Sequence, residues 1–316
     1  MPIELVLTTR IPSPAMEMLE AEYICHRLYE ATDPADRAAF LARVAPKVRG
    51  IATFAHGGVD AGLIAALPKA EIISHYGDGT EKIDLVAAKA RGVVVANVVG
   101  IVEACVADTA MALMLNVMRR YLYADHFVRS GLWTAPGTFP PATSLGGKTV
   151  GILGLGGIGI EVAKRAGAFG MHVRYHNRKP KPGVDYPYDP DLLTLARNAD
   201  VLVLGVPGGP QTERLVDAAV LDALGPGGYL VNVARGSVVD EPVLIQYLQE
   251  RKIAGAGLDT FDNEPRIDRR LLELDNVVLS PHVGTYTVET RRAMAERQLE
   301  NLRRHFAGQP VVNRVV

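Results

Sequence analysis

The sequence predicts an α/β protein with parallel sheets wound on both faces, and three observations predict it. Short apolar, β-branched runs alternate with amphipathic helical stretches along almost the whole chain, the pattern of strand–helix–strand crossovers. A glycine turn, Gly154-x-Gly156-x-x-Gly159, joins one such run to a helical stretch. A segment rich in Pro, Gly and Thr, "LWTAPGTFPPATSLGGKT", then divides the alternation into two series, because such residues punctuate rather than continue an element.

In the first series "IELVL" (3–7) reads as a strand and Ala15–Glu22 as a helix. "RGIATF" (49–54) precedes the helical "VDAGLIAAL", "AEIISHYG" (70–77) precedes "DLVAAKARG", and "VVVANV" (93–98) closes the series. Residues 102–131 form one long helical stretch, with apolar residues at helical spacing and few breakers. Beyond the loop come "TVGILGLG", "HVRYH", "DVLVLGVP", "GGYLVNVAR", "AGAGLDTF" and "NVVLSP", and a last helix runs roughly from Val288 to Phe306. Six strands suffice for a full doubly wound domain. The expected architecture is therefore two Rossmann-like or flavodoxin-like domains. Their bounds are 1–97 plus 287–316, and 98–286, if the last helix returns to the first domain; the pattern alone leaves that return open.

Composition narrows the function. The 316 residues suffice for two cores, and 48% hydrophobic with 22% charged residues is ordinary for a soluble globular chain. A net charge of -1 offers no basis for broad nucleic-acid or anionic-membrane binding. Cys25 and Cys105 stand far apart, so neither a disulfide framework nor a metal site is expected, and a reducing cytoplasm suits the chain. "MPIELVLTTR" reads as a strand rather than as a signal peptide, and no run has the apolar length of a membrane span.

The glycine turn carries the first chemistry. Gly154 permits a tight turn, Gly156 lets backbone approach a pyrophosphate, and Gly159 lets helix pack closely on strand. The helix start, with Gly157 and Ile158, offers N–H groups and a partial positive charge to the phosphates. Such a turn alone is a weak signal; its place between strand and helix makes it a dinucleotide site. In "YHNRKP" the next strand ends where an acid would accept hydrogen bonds from a ribose 2′-hydroxyl, yet Asn177 stands there. An acid would repel a 2′-phosphate. Asn177 removes that repulsion, and the fork of Arg178 with the point charge of Lys179 suits a phosphate. NADP(H) is the expected coenzyme, with NAD(H) second; a solvated basic loop is the plainer alternative.

Three residues follow successive strands of the second series: Arg235 in "VNVARGSVVDEP", Glu264 in "GLDTFDNEP" and His282 in "VVLSPHVGTYT". Ligands of open α/β sheets gather beyond the carboxyl ends of the strands. A guanidinium there can hold a substrate carboxylate and polarise a carbonyl, and an imidazole can protonate the developing alkoxide. A carboxylate bonded to that imidazole orients it and favours its charged form. Singly, each has a plainer reading: a surface cation, a solvated acid, a structural histidine. Their joint placement points to reduction of a 2-oxo acid.

With these stretches in view, the chain resembles the D-isomer-specific 2-hydroxyacid dehydrogenase family, over nearly its whole length. "GILGLGGIG", "VNVARGSVVDEPVLIQYL", "GAGLDTFDNEP" and "SPHVGTYTVETRRAM" carry the resemblance. It implies that Arg235 binds substrate, that Glu264 pairs with the histidine, and that His282 is the acid/base. It also implies that Asp259 anchors the nicotinamide amide, and that Val206, Pro207, Thr212, Ala234 and Gly284 lie near the cofactor. A homodimer through the helix from about Val102, and return of the last helix to the first domain, are further implications. Basic residues after the second strand resemble the glyoxylate/hydroxypyruvate reductase branch.

"SHYGDGTEKID" resembles the family's substrate loop, in which Tyr76, Gly77, Asp78 and Gly79 would meet the substrate carboxylate through backbone N–H groups. Asp78 departs from the small apolar residue the resemblance calls for. Either its side chain points away, or it bonds hydroxyls of a sugar-derived acid. "VPGGP" likewise has two glycines where bulkier residues are usual. The expected activity is NADPH-preferring reduction of glyoxylate or hydroxypyruvate. Another 2-oxo acid, such as 2-ketogluconate or phenylpyruvate, and a dinucleotide-sensing interaction protein on the same fold are the alternatives.

Overall fold

The computed structural model describes residues 2–55 and 57–316. The chain folds into two compact units, one of residues 1–102 with 286–316 and the other of residues 103–285.

In the first unit β1 (Glu4–Leu7), α1 (Ala15–Glu22), β2 (Ile24–Arg27), α2 (Pro34–Val44), β3 (Val48–Thr53), α3 (Ala61–Ala66), β4 (Ile72–His75), α4 (Leu85–Ala90) and β5 (Val94–Ala96) follow one another. Their five-stranded sheet has the order β2-β1-β3-β4-β5, and every pairing is parallel. Aspartates start α2, α3 and α4: Asp33 accepts from Ala35 N, Asp60 from Leu63 N and Asp84 from Ala87 N, which satisfies N–H groups that a helix leaves unpaired. Apolar strand residues such as Val6, Ile51 and Ile73 are fully buried against Leu63 and Ile64 of α3.

The second unit contains α5 (Glu103–Arg119), α6 (Tyr121–Arg129), β6 (Thr149–Leu153), α7 (Gly157–Ala168), β7 (His172–His176), α8 (Leu192–Arg197), β8 (Val201–Leu204), α9 (Ala218–Leu224), β9 (Tyr229–Asn232), α10 (Glu241–Gln249), β10 (Gly255–Leu258), α11 (Arg269–Leu272) and β11 (Val277–Leu279). All six strands expected from the second series form. They pair in parallel, in the order β11-β10-β9-β8-β6-β7. The order reverses beside β6, so the crevice that such sheets offer to ligands opens at its carboxyl end, at the glycine turn.

The chain then returns to the first unit with α12 (Val288–Phe306). Buried polar side chains seat this helix: Gln298 Nε2 donates to Ser74 O (3.0 Å) and Asn301 Nδ2 donates to Asn97 O (3.1 Å). One expectation needs correcting. Residues 102–131 are not a single helix, because Arg120 adopts left-handed backbone (φ 56°) and separates α5 from α6. No helix among the described residues is long and apolar enough to cross a membrane. Burial pushes the Cys25 thiol up to about 11, so it stays protonated at neutral pH and is no ready nucleophile.

Candidate active site

In the second unit, loops from the carboxyl ends of all six strands carry the residues singled out from sequence. After β6, Gly154 turns the chain with left-handed backbone (φ 95°), and α7 begins with Gly156 at its cap. A Cβ on Gly159 would lie 2.3 Å from Gly154 O, whereas one on Gly156 would meet nothing within 4 Å. The helix therefore sits tight on the strand, while its first turn stays open to a ligand. No side chain caps α7, so its leading N–H groups suit the pyrophosphate of a dinucleotide. The residues present fit that group.

Beyond β7, Asn177 serves the backbone, since its Oδ1 accepts from Leu155 N (2.7 Å) and ties the loop to the glycine turn. Arg178 donates from Nη1 to Gln211 Oε1 (3.1 Å), an exposed pair joining the β7 and β8 loops. Lys179 is exposed beside it. After β8, Val206 and Pro207 enter a loop that the Thr212 hydroxyl closes by donating to Pro207 O (2.7 Å).

At β9 the buried Asn232 shapes the turn, accepting from Ala234 N (3.0 Å) and donating to Arg235 O (3.0 Å). Arg235 is half-buried and donates from Nη1 to Ala234 O (2.8 Å), one of the five N–H donors that a guanidinium carries. Gly236 then passes so close to the next loop that a Cβ would lie 1.9 Å from Phe261 C. Any larger residue there displaces the turn that leads to Glu264. The Glu241 carboxylate helps hold this turn by accepting from Asp262 N (3.0 Å), although burial pushes its carboxyl up.

Glu264 accepts from Phe261 N at Oε1 (3.0 Å) and meets His282 Nδ1 at Oε2 (2.7 Å). With one oxygen fixed to backbone, the other presents a set direction to the imidazole, whose Nε2 then points away from the carboxylate. The His282 side chain is 47% exposed and that of Glu264 16%. His282 itself sits in left-handed backbone (φ 53°), a conformation that costs free energy and persists where surroundings hold it. Asp259 does the holding. Buried to 2% exposure, it accepts from Ser280 Oγ (2.5 Å), Val283 N (2.9 Å) and Gly284 N (2.9 Å), and so brackets the histidine on both sides.

In the first unit the loop after β4 is pinned by its carbonyls: Gly77 O accepts from Val98 N (3.2 Å) and Asp78 O from Asn97 Nδ2 (2.8 Å). Across a trans peptide the N–H points opposite to the C=O, so the N–H groups of Asp78 and Gly79 face the other way. Tyr76, wholly buried, donates from Oη to Arg291 O (2.8 Å); burial pushes its phenol up and keeps it a donor. The Arg291 guanidinium, from α12, lies over the rings of Phe54, Tyr76 and Tyr286 at 5.3, 5.1 and 4.4 Å. Sequence reasoning passed over Asn232, Ser280, Gln211 and Arg291. A polar residue ending an apolar strand was the one available signal, at Asn232.

The profile of the family described as "D-isomer specific 2-hydroxyacid dehydrogenase, NAD binding domain" matches residues 111–284. The chain belongs to this family. It is 45% identical over 285 residues, 90% of each chain, to hydroxyphenylpyruvate reductase of Plectranthus scutellarioides. It is 46% identical over 276 residues (87% of this chain, 89% of the other) to 2-ketogluconate reductase of Gluconobacter oxydans. Among solved structures, the NADPH-dependent glyoxylate/hydroxypyruvate reductase of Sinorhizobium meliloti, in complex with NADP and malonate, superposes with a TM-score of 0.90 at 38% identity, covering 100% of this chain and 97% of that one. The chain is thus an oxidoreductase of the 2-hydroxyacid dehydrogenases, and its second unit is of the kind that binds a nicotinamide dinucleotide.

Proposed function

We propose that this dehydrogenase is an NADPH-preferring reductase of small 2-oxo acids, converting glyoxylate to glycolate and hydroxypyruvate to D-glycerate. The observation that carries the reading is the fixed Glu264–His282 pair, at the same sheet end as Arg235 and the open glycine turn. When bound, the coenzyme supplies the hydride. Gly154, Gly156, Gly157, Ile158 and Gly159 would hold its pyrophosphate, Arg178 and Lys179 its 2′-phosphate, and Val206, Pro207, Thr212, Ala234 and Gly284 its remaining flanks. Asp259 keeps one lone-pair site beyond its three bonds, enough to receive a carboxamide N–H as well. The chain's own residues do the rest. Arg235 grips the substrate carboxylate and polarises the 2-oxo group. His282, oriented by its bond to Glu264, gives the Nε2 proton to the alkoxide oxygen. The N–H groups of Asp78 and Gly79 are the substrate loop's donors for a carboxylate; that loop lies in the unit of residues 1–102 with 286–316, and the dinucleotide residues lie in the unit of residues 103–285.

A homodimer through the helix from Val102 belongs to this reading, supported by the exposed Tyr121, Leu122, Val128, Leu132 and Trp133 on and just after α6. The two free thiols suit a cytoplasmic setting. A second substrate reading has support of its own. The 2-ketogluconate reductase relative and the polar Asp78 both favour a sugar-derived acid, with the same chemistry. Initial rates with glyoxylate, hydroxypyruvate, 2-ketogluconate and phenylpyruvate, each with NADPH and NADH, decide the matter. The expected result is highest kcat/KM for glyoxylate or hydroxypyruvate with NADPH. A lead for 2-ketogluconate moves the assignment, and dinucleotide binding without turnover of any acid overturns it.

A further inference from the structure

We propose that Tyr175 and Tyr188 are positioning residues for coenzyme discrimination: their hydroxyls clamp both ends of the loop that presents Arg178 and Lys179. This rests on the NADPH reading above and adds to it residues that touch no coenzyme. At the loop's entry, Tyr188 Oη donates to Asn177 O (3.1 Å); at its exit, Lys181 N donates to Tyr175 Oη (2.9 Å). Asn177 is held a second time, through the bond from Leu155 N to its Oδ1 (2.7 Å). Arg178 and Lys179 lie between the two fastenings.

The tyrosines are themselves fixed. Tyr175 is 2% exposed, and the two rings meet edge-on at 5.4 Å. Tyr175 N donates to Pro187 O (3.0 Å) and Asp189 N donates to Tyr175 O (2.8 Å), so residues 187–189 run alongside the end of β7. Asp189, itself buried, takes two bonds from the Arg174 guanidinium (2.6 and 2.9 Å) and one from Asn198 Nδ2 (3.0 Å). His176 stacks on Tyr188 at 6.0 Å and donates from Nδ1 to Asp189 O (2.9 Å). The two tyrosines thus rest on residues that are themselves hydrogen-bonded.

The physical consequence concerns entropy. Cations on a slack loop must be ordered when they bind a phosphate, and that cost falls on affinity. A loop fastened at both ends has met the cost during folding. A 2′-phosphate collects the benefit; a 2′-hydroxyl, which does not call on these cations, does not.

Tyr188→Phe and Tyr175→Phe remove the two hydroxyls and keep the rings. Coenzyme affinity is read by fluorescence titration with NADPH and with NADH, beside initial rates and thermal unfolding. The loss of one hydrogen bond of ordinary strength weakens NADPH binding about fivefold to tenfold, with NADH binding within about twofold and kcat held. Arg178→Asp is the control. If it discriminates between the coenzymes and both tyrosine variants do not, the clamp is wrong while the NADPH reading stands. If Arg178→Asp does not discriminate, the NADPH reading fails first. Should the buried Tyr175→Phe fold poorly, the result for Tyr188→Phe decides alone, and equal loss with both coenzymes overturns the proposal.

Discussion

His282→Ala lowers kcat by on the order of a hundredfold to ten-thousandfold, the range that a positioned general acid supplies, and leaves the unfolding temperature almost unchanged. The second half of that expectation is as specific as the first. The imidazole is 47% exposed, so its removal opens no buried cavity, and among the described residues its close bond is to Glu264 (2.7 Å). The Glu264 carboxylate keeps its backbone partner, Phe261 N. A loss of activity without a loss of stability therefore separates a chemical role from a structural one. Stopped-flow rates of NADPH oxidation beside calorimetric unfolding make the comparison. Near-normal turnover removes His282 from the reaction.

On the NADPH reading, Arg178→Asp raises the KM for NADPH by on the order of a hundredfold, since a proposed charge-assisted bond to the 2′-phosphate is lost and a like charge takes its place. NADH turnover is spared, because its ribose carries a hydroxyl that an aspartate can accept from. The change sits on an exposed side chain bonded to Gln211, so the fold is not at stake. Equal loss with both coenzymes would show that the cation serves the loop rather than the phosphate.

Much of this was legible in the sequence because it is local. The strands of the second unit are short, mostly apolar runs set between helical stretches, and Ala15–Glu22 and Val288–Phe306 were readable from apolar spacing. Strand β2, "ICHR", escaped notice: it lies at the sheet edge, is partly exposed, and has no alternation to read. The Asp33–Pro34 start of α2 was a usable signal that the reading passed over. Arg120 breaks the long helix without glycine or proline, so nothing in the residues announced it.

At the site, residue types and order were legible, but partners were not. That Asn177 braces the glycine turn, and that Asp259 brackets His282, depends on atoms 21 to 25 residues apart meeting in space. Periodicity carries no such information. The same holds for the hydroxyls of Tyr175 and Tyr188, which look like core and surface residues until the loop they hold is drawn.

On the proposed function, Arg235, Glu264 and His282 act together on a 2-oxo acid beside the reduced ring of NADPH. The most direct measurement is a crystal structure of the protein with NADP and oxamate, an unreactive 2-oxo acid mimic. Predicted are the oxamate carbonyl oxygen within hydrogen-bond distance of both His282 Nε2 and the Arg235 guanidinium, and the nicotinamide facing the same carbon. Oxamate and nicotinamide bound away from these side chains would contradict the account.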